Sequence, residues 1–169
     1  MVSDLEIRSM AERDLDAVLA IQSSCYTEVA PETLHSIRAK LVASSTTCFV
    51  AVASGEVVGY LIALPWEFAN PPVLNLERCE LPQRPDCLYL HDLAVVPKAR
   101  GLSVGVKLVE TFFKVLERLR LPRAALIAVQ GSSAYWERFG FQIASTDADL
   151  RAKLLSYVTH VVYMELVTC

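Results

Sequence analysis

The stretch LYLHDLAVVPKARGLSVG, residues 88–105, decides the fold. Its first eight residues are apolar or aromatic except for His91 and Asp92, and they read as a half-buried to buried strand. Pro97 breaks the run, and a basic turn punctuated by Gly101 and Gly105 then feeds a long helical pattern. In that helix Leu108, Val109, Phe112, Phe113, Leu116 and Leu119 make one apolar face, and Pro122 ends it. A turn of small residues at a helix start collects unpaired N–H groups and the positive end of the helix dipole, which together suit an anion.

Spacing separates the phosphate motifs that such a turn could carry. A triphosphate loop needs GxxxxGK followed by a hydroxyl residue, but Gly101 is followed at Gly105 by Val106. A dinucleotide turn needs GxGxxG, and only GxxxG is present. What remains is Arg100, a planar cationic fork, beside Gly101, Ser103 and Gly105, an arrangement suited to a diphosphate held without a metal. The same glycines also serve a tight turn and close helix packing, and spacing alone does not choose between the two.

Outward from this turn, LEIRSM alternates as a short strand and AERDLDAVLAIQSSCY sets Leu15, Val18, Leu19 and Ile21 on a helical stripe. Pro31 is expected at the first position of a second helix, PETLHSIRAKLVAS. TCFVAVA and EVVGYLIAL form a hairpin through Ser54 and Gly55. Residues 65–86 hold five prolines and no period, the pattern of a long functional loop. Beyond the long helix come the strand RAALIAV, the short helix SSAYWERFG, and the strands FQIAS and THVVYMELV separated by DADLRAKLL. The expectation is one α/β (α+β) domain over residues 1–169, a single sheet with helices on its faces.

Composition bounds the partners. A net charge of -3 and a pI near 5.6 give no basic excess for a nucleic-acid backbone. Five cysteines without a CxxC pair suggest neither a disulfide framework nor zinc, and three histidines without close spacing make no metal site. The charged N-terminus and the lack of a long apolar window lead to the expectation of a cytoplasmic protein that does not enter a membrane.

KARGLSVG resembles the [QR]xxGx[GA] signature of the GNAT N-acetyltransferases, with Arg100 at the first position, Ser103 at the first glycine and Gly105 at the second. The similarity extends to LHDLAVVP, to SSAYWERFGF and to the order of elements, while GYLIALPWE with LYLHDLAV resembles the arylalkylamine N-acetyltransferase branch. The resemblance implies a mixed, mostly antiparallel sheet of about seven strands with helices on both faces. It implies acetyl-CoA as cosubstrate, no metal, and direct acetyl transfer to the primary amine of a small molecule, with a homodimer admitted. Residues 88–95 would splay from 123–129, and the main chain of Leu93, Ala94 and Val95 would bind pantetheine in the gap. Arg100, Gly101, Leu102, Ser103, Val104 and Gly105 would hold the diphosphate, with Val106 lining the helix start. Ser103, Tyr89 and Trp136 depart from the family pattern, which motivates one alternative, a CoA-binding regulatory module without turnover; a separate alternative keeps the enzyme and makes the acceptor a protein N-terminus or lysine.

An alkylamine with a pKa of roughly 10.4 is mostly protonated at neutral pH, a penalty of about 4–5 kcal/mol against its nucleophilic form. Tyr89 and His91 lie two apart on one strand face, and His91 is the better base, although a packed histidine is an equal reading; Asp92 is expected on the opposite face. Trp136 stands where the family often supplies a tyrosine acid, which leaves Tyr135 as the candidate. Tyr26, Trp66 and Phe68 are candidates for an acceptor wall, and Glu28, Glu32 and Glu67 for attraction of an ammonium group. His35 and His160 are read as structural.

Overall fold

The computed structural model describes residues 4–27, 30–155, 157 and 161–168; Glu28 and His160 lie outside them. Seven strands form one sheet in the order β1-β2-β3-β4-β5-β7-β6. They are β1 (Glu6–Ser9), β2 (Cys48–Ala53), β3 (Glu56–Trp66), β4 (Cys87–Val95), β5 (Arg123–Ala128), β6 (Gln142–Ile143) and β7 (Val162–Val167). Every neighbouring pair is antiparallel except β4 and β5. A parallel pair needs a crossover, and α3 (Val104–Leu119) supplies it.

The helices divide between the two faces. Against one face pack α3, through Leu108, Val109, Phe112 and Leu116, and α4 (Ser133–Glu137), through Trp136. The other face is covered by α1 (Leu15–Cys25) and α2 (Leu34–Ala43), with α5 (Ala148–Leu155) over the β5–β7 side. The start of α3 comes close to the sheet because Gly59 has no side chain: a Cβ there would stand 3.1 Å from Ala94 O and 3.2 Å from Val104 Cγ1.

Two expectations are corrected at the level of elements. Pro31 does not open α2; Thr33 does, its side chain accepting from Ser36 N–H ahead of Leu34, as an N-cap hydroxyl should. Pro65 does not end β3, which runs on to Trp66 opposite Cys87. The β2 pairing stops at Ile62, so at Pro65 the strand is laddered on one side only and its missing N–H costs nothing.

Candidate functional site

The β4–β5 ladder has three residue pairs, Leu88 with Ala124, Tyr89 with Ala125 and Leu90 with Leu126, and then it ends. Beyond it the strands part, and a cavity of about 780 Å³ opens between them, running from His91 and Glu32 at one end to Arg100 and Gly105 at the other. Val96 N–H bonds Val58 O at 2.9 Å. Alternation along the antiparallel ladder therefore turns the main-chain groups of Ala94 toward Tyr60 and those of Leu93 and Val95 into the gap. Ala94, expected to offer backbone groups to a ligand, has them engaged in the ladder. Leu93 O lies 2.9 Å from the Tyr26 hydroxyl, and Val95 O accepts from the Cys25 thiol at 3.3 Å. The N–H groups of Leu93 and Val95 face the gap past the last β5 pair.

The turn at the other end is an anion cradle in form. Among the described residues, no group accepts from the N–H of Gly101, Ser103, Val104, Gly105 or Val106, the state of a helix start that has no cap. Leu102 differs: its N–H bonds Ala99 O at 3.3 Å and its side chain is exposed. Ser103 sits at the cap position with φ 64 and ψ 16, and in that left-handed conformation its hydroxyl makes no cap hydrogen bond. A Cβ on Gly105 would stand 2.7 Å from the Tyr135 hydroxyl, so only glycine lets that ring lie against the helix start. Arg100 is exposed, with Nη2 3.6 Å from Cys25 Sγ.

At the opposite end β4 carries a bulge. Ala63 pairs with Leu90 and Ile62 with Asp92, which leaves His91 as the extra residue. The bulge resets the alternation, so Asp92 follows His91 onto the α1–α2 face instead of facing away. Asp92 accepts from the Tyr26 hydroxyl at 2.5 Å and from the Tyr60 hydroxyl at 2.6 Å. Burial pushes the Asp92 carboxyl above its ordinary value, with the two hydroxyls pulling the other way. Burial and the neighbouring Asp92 carboxylate hold both tyrosines well above 10, so they stay neutral.

His91 Nε2 bonds Glu32 Oε1, and both side chains are almost wholly buried. Glu32 Oε2 accepts from Lys40 Nζ at 2.8 Å and from Ser36 Oγ at 2.6 Å. Burial alone would raise the Glu32 carboxyl; His91 and Lys40 outweigh it and hold the group well below the usual carboxylate range. Glu32 is thus committed to His91 and Lys40 and is not a free lure for an ammonium group. The Tyr89 ring lies 6.1 Å from His91, its hydroxyl bonds that of Tyr157, and Tyr157 donates to Pro72 O at 2.8 Å.

The cleft brings together Tyr26, Tyr89, His91, Leu93, Ala94, Val95, Arg100, Gly101 and residues 103–106, as well as Tyr135 and Trp136, and leaves Leu102 out. Trp66 and Glu67 fall outside it. Trp66 donates through Nε1 to Asn70 O at 2.7 Å, and Phe68 packs on Tyr163 beneath Arg123. Tyr135 is in the cleft, but its hydroxyl rests against Gly105 at the start of α3, not beside His91. Reading the sequence missed Gln22, whose amide bonds both main-chain groups of Glu32 at 3.1 Å, and Gln130, whose side chain bonds Thr27 N–H at 2.9 Å across the cleft mouth. Neither belongs to a local motif; each bond spans ten or more residues.

The profile of the acetyltransferase (GNAT) family matches residues 15–141. Among solved structures the chain is similar to Ard1 from Thermoplasma volcanium, with a TM-score of 0.73 and 16% identity over 98% of each chain. It is similar to the ribosomal-protein-S18-alanine N-acetyltransferase from Escherichia coli, with a TM-score of 0.67 and 17% identity over 96% of this chain and 93% of that one. It is also similar to the PaiA N-acetyltransferase from Thermoplasma acidophilum in complex with coenzyme A, with a TM-score of 0.69 and 14% identity over 98% and 99%. At these identities the likeness is one of fold. No curated protein matches the chain in sequence.

Proposed function

The chain belongs to the acetyltransferase (GNAT) family, and from that premise we propose that it passes the acetyl group of acetyl-CoA directly to the primary amine of a small molecule. The observation that carries the reading is the early end of the β4–β5 ladder, because it opens a slot lined by outward N–H groups and leading to the turn at Arg100. In this reading pantetheine lies along Leu93 and Val95 as an added strand would. The diphosphate meets the N–H groups of Gly101 and 103–106, and the thioester comes to rest near His91.

Three connections support a small acceptor over a polypeptide. Around the His91 end stand the segment before α2, the β3–β4 connection (67–86) and the β6–β7 connection, contributing Pro31, Leu74 and Tyr157 to the cleft. They are tied together: Thr33 N–H bonds Asn75 Oδ1 at 2.9 Å, Tyr157 bonds Pro72 O, and Lys153 bonds Asn70 Oδ1. An extended peptide would have to part these bonds.

His91 takes the ammonium proton and frees the amine's lone pair. The N–C bond then forms at the thioester carbonyl, whose developing oxyanion is within reach of the Leu93 N–H. The C–S bond breaks with its electron pair going to the thiolate, whose reference pKa of about 8.5 permits departure near neutral pH without a dedicated acid. The second N–H proton of the tetrahedral adduct passes to that thiolate, leaving amide and free thiol. Tyr26 and Tyr89 hold strand and wall in place.

Thiol release from acetyl-CoA, measured with small primary amines beside peptides bearing free N-termini, tests this. Amines should be turned over and peptides should not, and His91→Ala should lower the rate by about 10²–10⁴-fold. Faster turnover of peptides would overturn the small-molecule reading.

A further inference from the structure

We propose that Asp92 stands as a neutral carboxylic acid and is a positioning residue for the cosubstrate slot: its proton goes to the Tyr26 hydroxyl, which commits the tyrosine's own proton to Leu93 C=O and pins the gap-facing main chain of β4 to the end of α1. The role in the slot rests on the reading of that slot as the seat of acetyl-CoA; the proton on Asp92 rests on the hydrogen-bond geometry.

A count of protons carries the inference. Three oxygen–oxygen contacts meet at Asp92 and Tyr26: Asp92 Oδ1 with Tyr26 Oη at 2.5 Å, Asp92 Oδ2 with Tyr60 Oη at 2.6 Å, and Tyr26 Oη with Leu93 O at 2.9 Å. A main-chain carbonyl and an ionised carboxylate only accept, and each phenol brings one proton. With Asp92 ionised, both hydroxyls donate to it and two protons must serve three contacts. A contact as short as 2.5 Å holds its proton nearly in line, so the Tyr26 oxygen and Leu93 O would then face each other at 2.9 Å with no proton between them. A third proton, on Asp92 Oδ1, gives every contact a donor: Asp92 to Tyr26, Tyr26 to Leu93 O, and Tyr60 to Asp92 Oδ2.

The surroundings favour the neutral acid. Asp92 is buried, and among the described residues it forms no ion pair. The titratable groups around it are Tyr26 and Cys25 at the end of α1, Tyr60 from β3, Glu32 ahead of α2, and His91 from its own strand. Burial raises the Asp92 carboxyl most and Glu32 acts in the same sense, while His91 and the two hydroxyls oppose them. The end of α1 thereby holds both gap-facing carbonyls of β4, Leu93 O through Tyr26 and Val95 O through the Cys25 thiol at 3.3 Å. With the carbonyls held, the N–H groups of Leu93 and Val95 keep their aim into the slot. Loss of the Asp92 proton to solvent would draw the Tyr26 proton to the carboxylate and release Leu93 O. Asp92 touches neither acetyl-CoA nor acceptor; it acts through Tyr26 on the main chain of Leu93.

Carbon NMR on protein labelled at the aspartate carboxyls reads the proton directly, with the Asp92 signal assigned by its loss in Asp92→Asn. At about pH 7, where an ordinary aspartate with a pKa of about 3.9 is ionised, the wild-type Asp92 signal should be that of a neutral acid. An ionised Asp92 at that pH overturns the proposal whatever the variants do. Tyr26→Phe, which takes the donor from Leu93 O, should weaken acetyl-CoA binding about tenfold; unchanged affinity would remove the positioning role. As the pH is raised, the wild type should lose up to about tenfold in affinity over the range in which its Asp92 signal moves. Asp92→Asn keeps a donor and an acceptor in place and does not titrate, so it should show no such step. Matching curves for the two proteins over that range would overturn the link between the Asp92 proton and the slot. A wild type that binds no acetyl-CoA would sink the slot reading, while the carbon signal would still decide the proton on Asp92.

Discussion

At His91 the chain takes up one residue more than β3 can match, and the bend that results puts His91 and Asp92 on one side of the sheet. Three buried carboxyls on that side titrate with different signs. Asp92 is raised by burial, so the folded state holds its proton more tightly, and this group costs stability as pH rises through the folded value. Asp14 is the reverse: the hydrogen bonds from Arg8, at 2.8 and 2.9 Å, hold it below its ordinary value. Its contribution is complete above the unfolded value near 3.9 and is lost as pH falls through the folded one. Glu32 shares that sign. Asp14→Asn should therefore destabilise by about 2 kcal/mol at neutral pH, and urea unfolding repeated in strong acid should show the difference vanish. A difference that persisted in acid would remove the Arg8 pair as its cause.

The turn between β4 and α3 binds by main chain, and its conformation matters more than its side chains. Ser103 holds φ 64, a strained angle for a residue with a Cβ, and gains no cap bond in return. Ser103→Gly should raise stability by about 0.5 kcal/mol after allowance for the freer unfolded chain, with acetyl-CoA binding kept or improved. Thermal unfolding checks the first part, and a destabilised variant would show that the hydroxyl has a partner in the folded state. This element was legible in the sequence because the strand, the bend, Arg100 and the spaced small residues are contiguous. The bulge was not, since it is a property of two strands in register and β4 alone shows only alternation. The length of β3 was misread for a related reason: Pro65 looks like a stop until the β2 ladder is seen to finish before it.

Across the whole molecule the seven-strand sheet and its two helical faces followed from periodicity, and the family resemblance supplied the splayed pair. The acceptor end did not follow. Glu32 and His91 are 59 residues apart, and Tyr157 reaches Pro72 across 85, distances at which no local pattern carries information. Trp66 and Glu67 looked like acceptor residues because aromatics and acids in a long connection suggest a pocket; the fold instead uses that connection as a tie, with Leu74 its part of the cleft. Gly105 is where the central claim is most exposed, because a side chain there meets the Tyr135 hydroxyl, a yielding neighbour, and fills the phosphate end while the fold survives. Calorimetric titration of acetyl-CoA into the wild type and into Gly105→Glu is the most direct measurement. The wild type should bind one equivalent and the folded variant should bind none; undiminished binding by Gly105→Glu would contradict the account.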